Sequence, residues 1–223
     1  MLNLRTCAAM AALAVAGTAG AATTNAFANG GFETAGGAGQ LAAGWLTAAT
    51  SSPASLSNDA HSGSHSLLLS APNGFDASIA LQDSVGHGGM PALGAANVGD
   101  TPWLSFWAKG DASTTGNAFV TLRYMGTNGI ISTALNQQFQ GQLNTGSWTQ
   151  ISFQAAAIPV GTTSVFIEIG TAVGPILDNR ANAVLVDDLQ FAVQTVAVPE
   201  PGSYALLLAG LATVGAVARR RRV

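Results

Sequence analysis

Charged residues are scarce in this chain of 223 residues: Asp, Glu, Lys and Arg together make up 9% of it, beside 3 histidines and 1 cysteine. So little charge excludes both a charge-driven disordered chain and a coiled coil. Most of the basic residues lie near the two ends. Residues 22–198 hold three basic and ten acidic side chains, a net charge of −7. A body of that sign repels phosphate backbones, which argues against nucleic-acid binding.

The single cysteine, Cys7, lies in an N-terminal segment that has the features of a secretory signal peptide. Arg5 precedes an apolar run that ends at Ala16, and the small residues at 19–21 fit the cleavage site of such peptides. We therefore predict that residues 1–21 form a signal helix that is removed on export. The mature chain then has no cysteine and no disulfide, although it is exported.

The C-terminus combines three features in a fixed order. Val198, Pro199, Glu200 and Pro201 are followed by an apolar run at 204–218 and then by four arginines at the extreme end. The apolar run is shorter than the roughly 20 residues that a full membrane span needs. The arginines favour the cytoplasmic side of a membrane. From the residues alone, this segment is a membrane anchor with a transmembrane-like helix.

The same order of features resembles the PEP-CTERM sorting signal of Gram-negative bacteria, whose motif is Val-Pro-Glu-Pro. The resemblance implies an inner-membrane-anchored precursor, transient membrane insertion through the C-terminal helix, and processing by an exosortase. Release to the cell envelope or the extracellular matrix would follow. Proteins with this signal accompany exopolysaccharide production. We predict a signal peptide at 1–21, a folded domain at 22–197 and the sorting signal at 198–223.

The body of the chain lacks a helical hydrophobic stripe and alternates short β-rich runs with Gly, Asn, Asp and Ser turns. The predicted strands are 66–70, 77–83, 102–109, 118–125, 130–139, 149–154, 163–170 and 183–193. In one of them Val120, Leu122 and Tyr124 share a face opposite Arg123, and the Asn128-Gly129 pair indicates a hairpin. One apolar and one mixed face on each strand predict an all-β fold, a two-sheet antiparallel β-sandwich.

An ordered series of motifs in the body resembles the galactose-binding-like β-jelly roll of carbohydrate-binding modules attached to xylanases and cellulases. The motifs are Asn29-Gly30-Gly31-Phe32-Glu33, Gly44-Trp45, the stretch 59–67, the stretch 103–110, Trp148 and Val186-Asp187-Asp188-Leu189. The series covers nearly all of residues 25–193. The resemblance implies a jelly roll with no catalysis of its own.

The resemblance also implies a structural calcium ion (Ca2+) where the first and last strands lie side by side. Matched residue by residue, its ligands would be the carboxylates of Glu33, Asp59 and Asp187 and the carbonyl oxygens of Gly31 and Ser62. Calcium takes six to eight hard oxygens, and a cation would offset the repulsion among acids in a chain with so few charges. The alternative is that these acids cap turns and face water.

Carbohydrate sites combine an aromatic platform with polar hydrogen-bonding groups. Trp107 alternates with Leu104 and Phe106 along its strand, so it lies on a wet sheet face if those two residues are core. Arg123 and Glu168 occupy similarly mixed faces. We predict Trp107, Arg123 and Glu168 as carbohydrate-binding residues. The alternatives are a tryptophan packed in the core and a cross-strand ion pair between Arg123 and Glu168.

Signatures of catalysis are weak in this sequence. It has no Gly-x-Ser-x-Gly elbow, and His61 and His65 lie four residues apart in a Gly/Ser-rich loop and not on a helix. We therefore predict that the protein is not an enzyme and that it binds or organises glycan at the cell envelope or in a biofilm matrix. The alternative is a structural matrix or adhesion protein without a defined sugar ligand.

Overall fold

The computed structural model describes residues 22–48, 50–84 and 93–195. The predicted signal helix and the predicted C-terminal transmembrane-like helix lie outside these residues. Within the described ranges the strands are β1 (Ala22–Asn25), β2 (Leu46–Thr47), β3 (Ser55–Ser57), β4 (Ser66–Ser70), β5 (Ala77–Asp83), β6 (Trp103–Asp111), β7 (Gly116–Gly126), β8 (Gly129–Gln138), β9 (Thr149–Gln154), β10 (Ser164–Val173) and β11 (Ala183–Thr195). Two single-turn 3-10 helices span Ala95–Asn97 and Gln140–Gln142. No helix in the same ranges is long and apolar enough to cross a membrane.

The strands form two antiparallel sheets. The six-stranded sheet has the order β3–β4–β11–β6–β9, with β1 also paired to β11, and the five-stranded sheet has the order β2–β5–β10–β7–β8. Every strand partnership in the two sheets is antiparallel. The predicted all-β, two-sheet antiparallel sandwich is therefore confirmed.

The core lies between the inner faces of the two sheets. Alternate residues of each long strand are buried, as Leu104 and Phe106 are on β6 and Leu122 and Ile167 are on β7 and β10. All four belong to one continuous apolar cluster that draws on both sheets. Each fully buried side chain of this kind stabilises the fold by about 1.5–3 kcal/mol. The alternation of apolar and polar residues that predicted the strands thus also shows which side chains lie on the inner face of each strand and which on the outer face.

Strand β11 changes partner halfway along one of its edges. It pairs with β4 through residues 183–186 and with β1 through residues 192–195, while β6 lies along the other edge. The register with β6 shifts between Asp187 and Gln190, so β11 bulges where its partner changes. Asp188, in this bulge, has a left-handed backbone with φ of 49°, a conformation that Asp tolerates better than most residues. The bulge turns polar side chains towards the neighbouring loops.

The long strands agree with the sequence predictions, and the short ones were missed. Strands 66–70, 77–83 and 149–154 have the predicted bounds. The predicted hairpin is confirmed, because Gly126 pairs with Gly129 across a two-residue turn and Gly129 has a φ of 109°. Strands β1, β2 and β3 contain only two to four residues. Segments this short show no measurable alternation, so only pairing partners reveal them.

Candidate functional site

The motif at residues 29–33 builds a tight loop beside the bulge of β11. Asn29 adopts a left-handed backbone (φ 51°), and its side chain bonds backbone groups within the loop. Phe32 and Trp45 fill the core beneath, with ring centroids 5.0 Å apart. The Gly30 carbonyl accepts a hydrogen bond from the N–H of Leu189 at 2.9 Å. The loop is thereby attached directly to the bulge.

Asp187 is the most deeply buried acid at this junction, with 0% of its surface exposed. Its Oδ2 accepts hydrogen bonds from the N–H groups of His61 (2.8 Å) and Ser62 (3.1 Å), and its Oδ1 accepts one from Asp188 (2.7 Å). Asp188 in turn contacts the His61 Nδ1 and accepts the Ser62 hydroxyl, both at 2.7 Å. Burial raises the pKa of Asp187, the backbone donors oppose that effect, and the charge of Asp188 adds to it.

Glu33 binds the segment 61–65 at residues 64 and 65, next to the part that Asp187 and Asp188 contact. Its Oε1 accepts hydrogen bonds from the N–H groups of Ser64 and His65, both at 2.9 Å. These donors, His65 first and Ser64 second, lower the pKa of Glu33 because they stabilise its charged form. Gly63 has a φ of 64°, and a Cβ there would overlap the Glu33 carboxylate. The left-handed backbone, together with the nearby Glu33 carboxylate, therefore favours glycine at this position.

Four of the predicted calcium ligands come together here. A Cβ at Gly31 would lie 3.5 Å from the Asp188 Oδ1 and 3.7 Å from the Asp187 Oδ1, and the Glu33 side chain lies beside it. The Ser62 N–H donates a hydrogen bond to the Asp187 Oδ2, which places the Ser62 residue here but not its carbonyl oxygen. We call the three carboxylates of Glu33, Asp187 and Asp188 the acidic bulge. Carboxylate and carbonyl oxygens suit calcium. In the part of the chain that the structure describes, however, no three His, Asp or Glu side chains are arranged to hold a metal ion.

Asp59, the remaining predicted ligand, has a different partner. Lys109 Nζ donates to both of its carboxylate oxygens, at 2.9 and 2.7 Å. The same Nζ lies 5.7 Å from the centre of the Trp148 ring. The sequence placed Asp59 with Glu33 and Asp187, whereas the structure has it paired with a cation on the outer face of the six-stranded sheet. The reason is local charge: Lys109 is among the few cations of the body, and it points outward beside Asp59.

Trp107 lies on the outer face of the six-stranded sheet, as predicted from its alternation with core residues. It is half-buried because the His61 ring stacks on it, with centroids 3.9 Å apart and an interplanar angle of 12°. Trp148 meets the edge of His61 at 5.9 Å. His61 thus joins this aromatic cluster to the acidic bulge, since its Nδ1 contacts Asp188.

A second tryptophan, Trp103, lies on the same face and is 50% exposed. Trp103 and Trp107 are four residues apart on β6, about 13 Å along a strand. Polar side chains on this face surround the interval between them: Ser105, Gln150, Ser152, Gln154 and Gln190. We call this surface, with its two tryptophans, the tryptophan strip. It presents apolar ring surface beside hydrogen-bonding amides and hydroxyls.

The same sheet face has an open depression beyond Trp107, with a volume of about 320 Å³. It is lined by Ser57, Asp59, Leu68, Lys109, Gly110, Asp111, Thr145, Ala181, Ala183 and Leu185. A second depression, of about 370 Å³, shares Ala181 and Ala183 with the first. The two depressions lie towards the far end of the sheet, and neither is lined by Trp103 or Trp107.

Arg123 and Glu168 do not join Trp107. They lie on the outer face of the five-stranded sheet, on the opposite side of the sandwich. Arg123 Nη1 lies 2.5 Å from the Glu168 Oε2, and the guanidinium is 5.8 Å from the centre of the Phe166 ring. Arg123 and Glu168 therefore form the cross-strand ion pair that the sequence analysis gave as the alternative interpretation. The three predicted carbohydrate-binding residues therefore cannot line one site.

Sequence reasoning overlooked two side chains of this region. Trp103 follows the same alternation as Trp107, and that alternation is a signal from which its outward position can be predicted. Asp188 belongs to the Val186-Asp187-Asp188-Leu189 motif, and its contacts with His61 and Ser62 depend on the bulge. A bulge of this kind has no clear sequence pattern, because the register shift depends on how two neighbouring strands pair.

Comparison with known proteins covers both parts of the chain. Residues 197–222 match the PEP-CTERM protein-sorting motif. No curated protein matches the chain. Among solved structures, it is similar to the enzymatically active domain of tailspike protein 4 of bacteriophage CBA120, at 15% identity and a TM-score of 0.52. That match covers 76% of this chain and 21% of the tailspike chain.

Two carbohydrate-binding modules are also similar. TmCBM61, solved with β-1,4-galactotriose, has 14% identity and a TM-score of 0.48, with coverage of 75% of this chain and 97% of the module. The CBM22-1 xylan-binding domain of Xyn10C from Paenibacillus barcinonensis has 15% identity and a TM-score of 0.43, with coverage of 75% and 93%. At such identities these likenesses concern the fold alone. The predicted sorting motif is confirmed. The chain is an exported bacterial protein with an antiparallel β-sandwich, followed in sequence by a PEP-CTERM protein-sorting motif at residues 197–222.

Proposed function

We propose that this protein is a noncatalytic module that binds a neutral polysaccharide along the tryptophan strip, at the cell envelope or in the extracellular matrix. The observation that carries the proposal is the half-exposed ring of Trp103 on an otherwise polar sheet face. A single exposed side chain would need no explanation, but two tryptophans on one sheet face form an apolar surface that a ligand can cover. Sugar rings have apolar faces that stack on such a platform.

Chemistry and charge both support an uncharged polymer. The glutamine and serine side chains between the tryptophans offer donors and acceptors to sugar hydroxyls. The interval of about 13 Å between Trp103 and Trp107 is longer than one sugar ring, which suits a chain over a single sugar. The body carries a net charge of −7 and repels polyanions.

Affinity electrophoresis on a panel of neutral polysaccharides tests this proposal. We expect at least one polymer to retard the wild-type protein and the Trp103→Ala variant to lose about thirtyfold in affinity, equivalent to about 2 kcal/mol for a central aromatic anchor. Because Trp103 is half-exposed, its truncation leaves the core intact. The matched control is Glu168→Gln on the opposite face, which should bind as the wild type does.

Other outcomes contradict the proposal. Retardation that persists in Trp103→Ala and disappears in Glu168→Gln would move the site to the five-stranded sheet. Absence of retardation by every polymer, together with self-association, would favour a structural matrix or adhesion role. Turnover of any glycan would show that the protein is an enzyme.

We also propose that calcium binds at the acidic bulge, held by Glu33, Asp187 and Asp188 with the carbonyl oxygens of Gly31 and Ser62. Two features support it: the Asp187 and Asp188 carboxylates and the Glu33 side chain all lie beside Gly31, and the charges of Asp187 and Asp188 repel each other, which a cation would offset. When bound, the ion would link three distant segments in a domain without disulfides.

Melting curves with millimolar calcium and with EDTA test this second proposal. We expect a higher melting temperature with calcium, since binding to the folded state alone adds about 2.7 kcal/mol at a hundredfold excess over Kd. Asp187→Ala should abolish the gain, whereas Asp59→Ala should keep it because Asp59 is paired with Lys109. Identical curves in both buffers, or loss of the gain in Asp59→Ala, would refute this ligand set.

A further inference from the structure

Large apolar side chains are exposed unevenly over the sandwich. Among the described residues they are Phe75, Val98, Trp103, Ile130, Ile131, Val160 and Leu177. Phe75 and Leu177 lie in the loops at one end, where β4 and β10 finish. Four of the others lie in the loops and the hairpin at the opposite end: Val98, Ile130, Ile131 and Val160. We call these four residues the apolar end.

Backbone contacts bring these four residues to the same end. The N–H of Gly99, next to Val98, donates to Ile158 at 2.9 Å, and the N–H of Thr163 donates to Met125 at 2.8 Å. The loop 155–163, which carries Val160, therefore joins both neighbouring loops. A Cβ at Gly161 would lie 3.8 Å from the Cδ1 of Ile131. The hairpin and the loop thus adjoin one another.

The chain leaves the domain at this same end. Strand β11 runs towards it, since Ala192 pairs with Trp103 at the start of β6 and Thr195 pairs with Ala22. The apolar run of the sorting segment begins at Tyr204, nine residues after Thr195. Nine residues reach at most about 30 Å when fully extended. In a precursor anchored by that run, this linker limits the distance between the end of β11 and the bilayer to about that length, so contact is within reach.

We propose that the apolar end rests on the lipid bilayer while the precursor is anchored, with Ile130 and Val160 immersed among the lipid headgroups and upper acyl chains. These two side chains are 61% and 81% exposed and lie in one group with Val98 and Ile131; such a group, unlike a single exposed side chain, is typical of a contact surface. Interfacial insertion of a few apolar side chains is a recognised mode of membrane contact. The inference rests on anchoring by the sorting segment and is independent of glycan binding.

Charge indicates that this contact is apolar and not electrostatic. Each of the basic side chains in the described part of the chain is held in an ion pair, Lys109 with Asp59, Arg123 with Glu168 and Arg180 with Asp111. None of these three belongs to the apolar end, so among the described residues no basic side chain there attracts anionic lipid. Contact should therefore form on zwitterionic membranes and resist salt.

The test uses the full chain reconstituted in phosphatidylcholine vesicles. Cys7→Ser removes the native thiol, and Thr127→Cys in the exposed hairpin turn carries an environment-sensitive fluorophore. Spin-labelled phosphatidylcholine is the quencher. We expect the label to be quenched, with no loss at high salt. The Ile130→Ser/Val160→Ser double variant should lose at least half of that quenching.

A matched double variant controls for surface polarity. Phe75→Ser/Leu177→Ser removes two side chains that are 81% and 75% exposed at the opposite end, and it should be quenched as the wild type is. A vesicle-bound chain whose label is not quenched, or equal quenching in both double variants, would overturn the proposal. Failure of the chain to float with the vesicles would overturn the anchoring on which it rests, and polysaccharide binding would be unaffected.

Discussion

Replacing Asp187 by alanine will lower the free energy of unfolding by about 3 kcal/mol. The change removes the acceptor for three backbone N–H groups, those of His61, Ser62 and Asp188, at a position where the carboxylate itself is fully buried. The three donors are partly buried, and a fully buried donor left without a partner costs about 1–3 kcal/mol. In a domain of this size the loss should appear as a fall in melting temperature of about 6–12 °C.

Two opposing effects decide the sign of this prediction. Burial and the charge of Asp188 disfavour the ionised form of Asp187, so removing this carboxylate also removes an unfavourable contribution to the stability of the folded state. The three lost hydrogen bonds outweigh that relief if they hold the loop to the bulge as the distances indicate. The comparison variant is Asp59→Ala, which breaks an exposed pair with Lys109 worth at most about 1 kcal/mol. Thermal melting of both variants in EDTA separates the effects, and an unchanged melting temperature in Asp187→Ala would contradict this account.

Replacing Gly30 by alanine should be similarly costly, by about 3 kcal/mol. The new Cβ would overlap the carbonyl oxygen of Leu189, which belongs to the backbone and cannot rotate away. The loop would have to move from the bulge, and the hydrogen bond from Leu189 to Gly30 would break. Overpacking of this kind costs about 1–3 kcal/mol, and more when the backbone must shift.

Gly37 provides the matched control in the next loop. A Cβ at Gly37 meets no atom within 4 Å. Gly37→Ala should therefore leave the stability unchanged or raise it by about 0.4–1 kcal/mol, since alanine restricts the unfolded chain. Denaturant unfolding of both variants measures the difference. Equal midpoints for Gly30→Ala and Gly37→Ala would show that the close approach at Gly30 has no energetic weight.

The sequence determined the sorting segment and most of the sheet structure. The sorting features are contiguous, so their order could be read without a fold, and the match at residues 197–222 confirms it. The long strands were predicted because alternation is a local property of the chain. That alternation also placed Leu104 and Phe106 in the core and Trp107 on an outer face.

Only the tertiary structure decided which outer faces coincide. Alternation separates the two faces of each strand. Which of these faces belong to the same outer surface of the sandwich is set by the order of strands in the sheets, and that order depends on contacts between distant segments. For that reason Trp107 could not be separated from Arg123 and Glu168 on sequence alone. The predicted calcium ligands show the same limit: Glu33 and Asp187 both lie beside Gly31, whereas Asp59 is paired with Lys109, a partner 50 residues away.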